Sequence, residues 1–290
     1  AQEFLDARQW DTAYRDSRRA LRPIRVIMRE HWRKAVEPLD VPTASPYAVS
    51  FYSLPLHWAF AKDVASSKPG TNALVHGQFE LNGEAPKTGA AVSSLPGWST
   101  RQSVLDNVVA LARILNSKDL EDKPVDPGEA PTTRYANTKF FVNPDDLKMR
   151  PSLGKHCLNL NMEAKVDRDS KGNPLPPPQA LERAFLAVDS PAADLPPGSI
   201  ARISFWVKIT TPITASADGL VCYDSVGGEP LALRLSSTPG WKQYHLYRRV
   251  PPHGKVAVTF ALTGLGSALI DDVQIVPLLA AGQNVTAVSR

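Results

Sequence analysis

The sequence has few cysteines. Cys157 and Cys222 are the only two in 290 residues, which permits one disulfide and excludes a disulfide framework. Each lies in an apolar, strand-like run, where a free thiol behaves as a small hydrophobic side chain, so we expect two buried thiols. Neither has a neighbouring His or Cys at the spacing of zinc ligands, which argues against a structural zinc site.

Long hydrophobic runs and an excess of one charge are also missing. No run approaches the ~18 to 20 apolar residues that a membrane-spanning helix needs, so no transmembrane segment is predicted. The 33 Lys and Arg residues against 29 Asp and Glu give a net charge of +4. This charge is too small and too dispersed for a condensed basic surface, and we therefore expect no nucleic-acid partner.

The motifs of common catalytic sites are absent as well. There is no Gly-x-Ser-x-Gly, and the six histidines include no His-Glu-x-x-His. The acid pairs Asp145-Asp146 and Asp271-Asp272 would point to opposite faces of a strand, whereas glycoside hydrolysis needs two carboxylates facing each other across a cleft. No catalytic residue is assigned, and the chain is predicted not to be an enzyme.

Proline, in contrast, is abundant, with 26 residues beside 17 glycines, which indicates many short elements joined by rigid loops. The first forty residues are an exception, because apolar residues recur there at helical spacing and form one stripe that another surface must cover: Trp10, Tyr14, Leu21, Ile24, Met28 and Trp32. Pro23 lies within the stripe and predicts a kink or a break. A second stripe, from Arg15 to Arg33, fits either a solvated flank or a site for an anionic surface.

After Pro38 the sequence predicts an irregular strap, rich in proline and aromatic residues, that packs against a domain surface. Beyond Gly70 the period changes from 3.6 to 2, and runs of alternating polarity are separated by turn signals. The runs are 181–188, 201–209, 231–235, 244–250, 256–262 and 268–276. This pattern predicts a mainly β fold, an antiparallel β-sandwich, and excludes a parallel α/β sheet.

The resulting organisation has three parts. Residues 1–70 form the N-terminal helix and strap, residues 71–278 the sandwich, and residues 279–290 a C-terminal tail. Within the sandwich, the spacing of apolar residues from Val104 to Leu115 predicts an inserted helix with Ser103 as its N-cap. Polar segments at 119–131 and 167–179 are expected to be loops.

The first and last segments of the predicted sandwich contain sequence motifs that resemble those of a known family. Gly77-Gln78-Phe79-Glu80 is followed by Pro96-Gly97-Trp98, and the last strand contains Asp271-Asp272-Val273. These motifs resemble the galactose-binding-like jelly-roll family, which includes many bacterial carbohydrate-binding modules. The sequence is also similar to uncharacterised planctomycete proteins that carry this domain after an N-terminal helix, for which no activity can be transferred. The resemblance covers residues 72–277 and implies a jelly-roll fold.

The resemblance also implies a structural calcium ion that ties the first and last strands together. Glu80 and Asp271 match its carboxylate ligands, and hard oxygen ligands suit calcium. On the predicted last strand Asp271 shares its parity with Leu269 and Val273, which would direct it toward the core, with Asp272 outside. A buried carboxylate needs a partner, and backbone N–H groups or a basic side chain would satisfy it as well as a cation would.

A binding face is predicted on the strand from Ala201 to Ile209. Its outward positions are Arg202, Ser204, Trp206 and Lys208, and aromatic rings with polar neighbours are suited to stacking on sugars. The N-terminal helix and strap could cover this face instead. We therefore predict a noncatalytic binding or structural module in a larger extracytoplasmic assembly with other protein chains. The alternative is a carbohydrate-binding module with a Trp-lined site for cell-surface glycan.

Overall fold

The computed structural model describes residues 2–36, 54–83, 85–86, 88–103, 106–116, 154–165, 171, 180–181, 184–238 and 240–279. Three helices come first: α1 (Gln2–Asp6), α2 (Trp10–Val36) and α3 (Leu54–Ser66). The strands follow: β1 (Lys68–Pro69), β2 (Ala90–Ala91), β3 (Ser99–Ser103), β4 (Val108–Asn116), β5 (His156–Ala164), β6 (Phe185–Asp189), β7 (Ala193–Asp194), β8 (Ile200–Lys208), β9 (Leu220–Asp224), β10 (Leu233–Leu235), β11 (Lys242–Arg249), β12 (Lys255–Val256), β13 (Val258–Leu262) and β14 (Gly266–Leu279).

These strands form an antiparallel β-sandwich of the jelly-roll type, which confirms the predicted fold class. Sheet A has the order β11-β8-β14-β5-β4-β2, with β1 paired to β14, and sheet B has the order β10-β9-β13-β6-β3. The chain alternates between the two sheets, so strands that are distant in sequence become neighbours. Between the sheets lies one core, which includes Phe79, Trp98, Phe205 and Phe260.

The helix that was predicted after Ser103 is wrong, because residues 108–116 form the strand β4. Val108 and Ile114 point into the core, whereas Val109 and Leu111 are exposed on the outer face. β4 pairs along its whole length with β5. A run with apolar residues at most positions fits both periods, and pairing with β5 decided between them.

The N-terminal segment also differs from its prediction. α2 continues through Pro23 as one helix, so the predicted break does not occur. Residues 54–66, predicted as part of an irregular strap, form α3, whose Pro55 stands in the first turn, where its missing N–H costs nothing. The remainder of the strap, residues 37–53, lies outside the described residues.

The helices pack on the outer face of sheet A. Trp32 of α2 and Phe60 of α3 form a buried cluster with Ile200, Tyr247 and Leu278 of the sheet. The ring of Trp32 meets that of Tyr247 edge-on, with 5.6 Å between centroids. The same end of the sheet is tied to α3 by Arg249, which pairs with Asp63 at 2.8 Å. The apolar stripe of α2 is thus covered in its C-terminal half.

The predicted first strand of the sandwich is irregular. Residues 71–80 run beside β14 and bond to it at separated points, with Ala73 N donating to Ile275 O and Val273 N donating to Gly77 O. Gly77 lies so close to Val273 that a Cβ atom would overlap the Val273 carbonyl. His76 has a positive φ of 55°, which interrupts any regular strand there.

Candidate functional site: the outer face of sheet B

The predicted binding residues lie together on the outer face of sheet A, but that face is largely closed. Ser204 and Lys208 have only 2% and 5% of their surface exposed, while Arg202 and Trp206 are half-buried. Trp206 lies between Gln243 of β11 and Asp271 of β14. Two of the four predicted ligand contacts are therefore inaccessible in this conformation.

Asp271 does not point into the core as predicted. A β-bulge between Asp271 and Gln274 shifts the register of β14, and Asp272 takes a positive φ of 44°. Ile270 and Val273 face the core on either side of the bulge, which leaves Asp271 on the other side of the sheet, beside Trp206, where its side chain is fully buried. The parity argument failed because a bulge inserts one residue and reverses the alternation.

Glu80, the other predicted calcium ligand, is held by the start of β5. Its Oε1 accepts hydrogen bonds from the backbone N–H groups of Lys155 at 2.7 Å and His156 at 3.3 Å, and its Oε2 lies 3.1 Å from His156 Nδ1. Asp271 Oδ1 accepts from Asp272 N at 2.7 Å. Within the described ranges, no three His, Cys, Asp or Glu side chains gather as a metal site. Calcium at this pair stays a prediction, which a chelator tests by its effect on the melting temperature.

The outer face of sheet B has a different character, because its middle row consists of small residues. Register places Ala187 of β6, Ala261 of β13 and Val221 of β9 side by side. The three are 1%, 7% and 4% exposed, because larger neighbouring side chains pack against them. Arg101 of β3 continues this row at one end and Arg234 of β10 continues it at the other. With strands about 4.8 Å apart, the row crosses five strands over about 19 Å.

Larger side chains line both sides of this row. On one side stand Asp189, Thr259 and Tyr223, which are register neighbours. On the other side lies Phe185, which precedes Ala187 by two residues on β6 and therefore shares its face. The ring of Phe185 and the ring of Tyr223 are both half-buried. We call this feature the sheet B trough, formed by Arg101, Phe185, Ala187, Asp189, Val221, Tyr223, Arg234, Thr259 and Ala261.

Ion pairs hold the polar groups of the trough in place. Arg101 donates from Nε and Nη2 to the two carboxylate oxygens of Asp189 at 2.5 and 2.9 Å, and Thr259 donates to the same carboxylate at 2.7 Å. The hydrogen bond from Arg101 holds the pKa of Asp189 below its usual value, and the bond to Asp189 raises that of Arg101. At the other end Arg234 Nε pairs with Asp218 at 2.8 Å. Each of the two carboxylates is thus paired with an arginine.

A cavity of about 370 Å³ adjoins the trough beside Phe185. Its polar lining comes from Ser216, Asp218 and Thr263, and the hydroxyl oxygens of Ser216 and Thr263 lie 2.8 Å apart. The trough and the cavity together offer aromatic faces, hydroxyls and paired charges on one side of the molecule.

The sequence signalled this site only weakly. β6 and β13 were predicted as alternating runs, and β9 only as a strand-like run around Cys222. Phe185 and Tyr223 alternate with core residues on β6 and β9. The pairing of β6 with β13, which lie some seventy residues apart, could not be read from the sequence. Trp206 of β8 drew the prediction to sheet A instead, because it is an outward aromatic residue. The helices pack on that same outer face.

Comparison with known proteins gives the following likenesses. No family model and no curated protein matches the sequence. Among solved structures, the chain is similar to the carbohydrate-binding module TmCBM61 in complex with β-1,4-galactotriose, with 13% identity and a TM-score of 0.36 over 71% of this chain and 98% of that one. It is similar to the CBM22-1 xylan-binding domain of Paenibacillus barcinonensis Xyn10C, with 12% identity and a TM-score of 0.30 over 69% and 99%.

A third likeness is to the enzymatically active domain of tailspike protein 4 of bacteriophage CBA120, with 15% identity and a TM-score of 0.39 over 72% of this chain. This chain spans only 21% of the tailspike chain. Most of the similar structures are carbohydrate-binding modules, the class whose motifs the sequence resembles.

No helix among the described residues is long and apolar enough to cross a membrane.

Proposed function

We propose that the chain is a noncatalytic glycan-binding module and that its ligand lies in the sheet B trough. The observation that carries this proposal is the pair of half-buried aromatic rings, Phe185 and Tyr223, that pack against the buried row of small residues on the outer face of sheet B. Aromatic rings stack on the apolar faces of sugars, and the exposed parts of these two rings would make that contact. A glycan would lie across the strands, from Arg101 toward Arg234.

The polar groups of the trough would orient the sugar. The guanidinium of Arg101 has 53% of its side chain exposed, so its remaining N–H groups can donate to sugar hydroxyls while Asp189 keeps the group in position. Asp218 has 47% of its side chain exposed and can accept from a hydroxyl at the opposite end. Charge-assisted hydrogen bonds of this kind give geometric selectivity.

The same ion pairs favour binding over catalysis. A general acid must hold a proton near the operating pH. Asp189 is bonded to Arg101, which holds its pKa low, so it is ionised under ordinary conditions. This arrangement suits a carboxylate that accepts hydrogen bonds, and we infer that the module works beside other domains or chains of an extracytoplasmic assembly.

Titration calorimetry with soluble galactans, xylans and β-glucans tests the proposal. Tyr223→Ala and Phe185→Ala should each weaken binding by about tenfold or more, because truncating a central aromatic residue of an interface typically costs ~2 kcal/mol. The matched control is Trp206→Ala, which removes the aromatic side chain predicted to bind sugar on sheet A and should leave the affinity unchanged. Loss of binding in Trp206→Ala with normal binding in Tyr223→Ala would move the site to sheet A. The absence of measurable binding to every glycan would overturn the proposal.

A further inference from the structure

The three helices carry most of the exposed apolar side chains among the described residues. Of the eleven large hydrophobic residues that are exposed, seven are on the helices. They are Leu5, Trp10, Tyr14, Val26, Ile27, Leu56 and Trp58. Scattered apolar residues are normal on a protein surface, but their concentration on one small unit marks an interaction surface.

The apolar stripe of α2 shows where this surface lies. Met28 and Trp32 are 1% and 2% exposed, whereas Trp10 and Tyr14 are 62% and 63% exposed. Trp10 and Met28 are five full turns apart at 3.6 residues per turn, as are Tyr14 and Trp32, so each pair points in the same direction. The N-terminal half of α2 therefore presents, about 27 Å farther along the axis, the same kind of face that its C-terminal half buries.

Charge limits what can cover the exposed sides of α2. α2 has eight basic and three acidic residues and thus a net charge of +5, whereas the whole chain has +4. The rest of the molecule therefore has a net charge of −1, and the positive charge is concentrated on this helix. Two copies of α2 placed side by side would repel each other, while an anionic surface would attract it.

The directions of the exposed residues distinguish between anionic surfaces. At about 100° per residue, Val26 points about 160° away from Trp10 around the helix axis. A helix lying on a lipid bilayer keeps its apolar residues on one side. Apolar residues on several sides fit a concave protein surface instead. Tryptophan, tyrosine and arginine are also the residue types that dominate the binding energy at protein interfaces.

We propose that α2, along the sides that the sandwich leaves exposed, docks into an acidic cleft of another protein chain. Trp10 and Tyr14 fill an apolar recess of that cleft, and basic residues such as Arg15 and Arg19, both exposed, meet carboxylates at its rim. This surface is on the helices and is independent of the sheet B trough. The module would thereby be held in its assembly while the trough stays open to ligand.

Photocrosslinking from within the full-length chain tests this proposal. A photoreactive phenylalanine analogue replaces Trp10 in the source cells. A matched chain carries it at Leu111 of sheet A, which is exposed and should not crosslink the same partner. The protein crosslinked from position 10 is identified, purified, and titrated with the wild-type chain at low and high salt. We expect a partner whose crosslinked surface is acidic, and binding that weakens as salt screens exposed charges.

The variants give the decisive comparison. The double variant Trp10→Ala and Tyr14→Ala should bind this partner about tenfold or more weakly, and Arg15→Glu with Arg19→Glu should remove the salt dependence. The control Leu111→Ala, on sheet A, should bind normally. Circular dichroism should show unchanged helix content in each, because the altered side chains are exposed. Crosslinks only to a second copy of the chain or to lipid, or unchanged affinity in the double variant, would overturn the proposal.

Discussion

Arg248 and Asp224 form an ion pair inside the sandwich that joins its two sheets. Arg248 Nε lies 2.8 Å from Asp224 Oδ2, and the two side chains are 3% and 0% exposed. Asp224 Oδ1 also accepts from the backbone N–H groups of Val226 and Gly227, while Arg248 donates to the carbonyls of Tyr247 and Leu231. Such bonds offset the cost of removing both charges from water.

Removing one partner of this pair should be strongly destabilising. Asp224→Ala leaves the Arg248 guanidinium buried without its counter-charge, which typically costs about 3 to 5 kcal/mol. Urea denaturation measures the change in the free energy of unfolding. The matched control is Asp194→Ala, which breaks the exposed pair with Lys255 and should cost less than about 1 kcal/mol. Equal effects of the two substitutions would contradict the assigned role of the buried pair.

The two cysteines are free and buried, as expected from their apolar surroundings. They belong to different faces: Cys222 lies in the core between the sheets, while Cys157 alternates with the core residues of β5. Burial raises the pKa of the Cys222 thiol, so it stays protonated and unreactive at neutral pH.

A thiol-specific reagent should therefore modify neither cysteine in the native protein at neutral pH. In denaturant both thiols should react, and mass spectrometry counts the added groups. Rapid modification of Cys222 in the native state would show that the core around it opens readily.

At the scale of elements, the contact between the helices and sheet A rests on Trp32. Its ring packs on Phe60, with centroids 6.0 Å apart, and on Tyr247. Arg249 closes the edge of this contact, since its guanidinium lies 5.6 Å from the centroid of the Phe60 ring. Trp32 thus provides a direct contact between the second helix and the sandwich.

Trp32→Ala should lower the free energy of unfolding by about 3 to 5 kcal/mol, the usual cost of truncating a large buried side chain. Trp58→Ala is the matched control, because this tryptophan of α3 is 40% exposed and should contribute much less. Chemical denaturation of both variants, followed by circular dichroism, measures the difference. If Trp32→Ala leaves stability unchanged, the helices do not pack on the sandwich in solution.

The same interface should weaken in acid. Burial lowers the pKa of His245 to about 3, with the charge of Arg202 adding to the effect, and burial also lowers that of His57. The unfolded chain takes up these protons near its ordinary value of about 6.5, whereas the folded chain does not, so stability falls as the pH drops below 6.5.

Between pH 6.5 and 5, His245 alone should lower the free energy of unfolding by about 2 kcal/mol, at ~1.4 kcal/mol per pH unit. His245→Gln should show correspondingly less pH dependence in urea denaturation at the two values. An equal slope in the variant and the wild type would mean that His245 is protonated in the folded protein.

At the scale of the whole molecule, the outer faces of the two sheets differ in what packs on them. The helices α2 and α3 pack on the outer face of sheet A. Among the described residues, none of the three helices joins the buried cluster on the outer face of sheet B. Because the core between the sheets separates these faces, a change on one should not alter binding on the other.

A chain that lacks residues 1–66 tests this separation. It should expose Ile200, Tyr247 and Leu278, and therefore bind a hydrophobic dye more strongly and melt at a lower temperature. Its affinity for glycan should equal that of the full chain. Loss of glycan binding in a truncated chain that circular dichroism shows to be folded would place the helices in the ligand site.

The six alternating runs, such as the one from Ala201, and the turn signals between them predicted the sandwich, because period-2 patterning is local. Local pattern failed at Val108 to Ile114, where both periods fit, and at Asp271, where a bulge reverses the alternation. The predicted binding residues were identified from one strand, and Ser204 and Lys208 are buried. Burial of an outward position depends on what packs above it, which the strand itself does not encode.

The sequence by itself determined the class of fold, the helical N-terminus, the buried thiols and the outward direction of Trp206, since each follows from the period and polarity of neighbouring residues. The tertiary structure decided that β4 is a strand, that Asp271 faces outward, and which sheet face stays open. It also brought Arg101 to Asp189 and aligned Ala187, Ala261 and Val221 in one row. Those residues are distant in the chain, and only the pairing of strands across a jelly roll sets their distances.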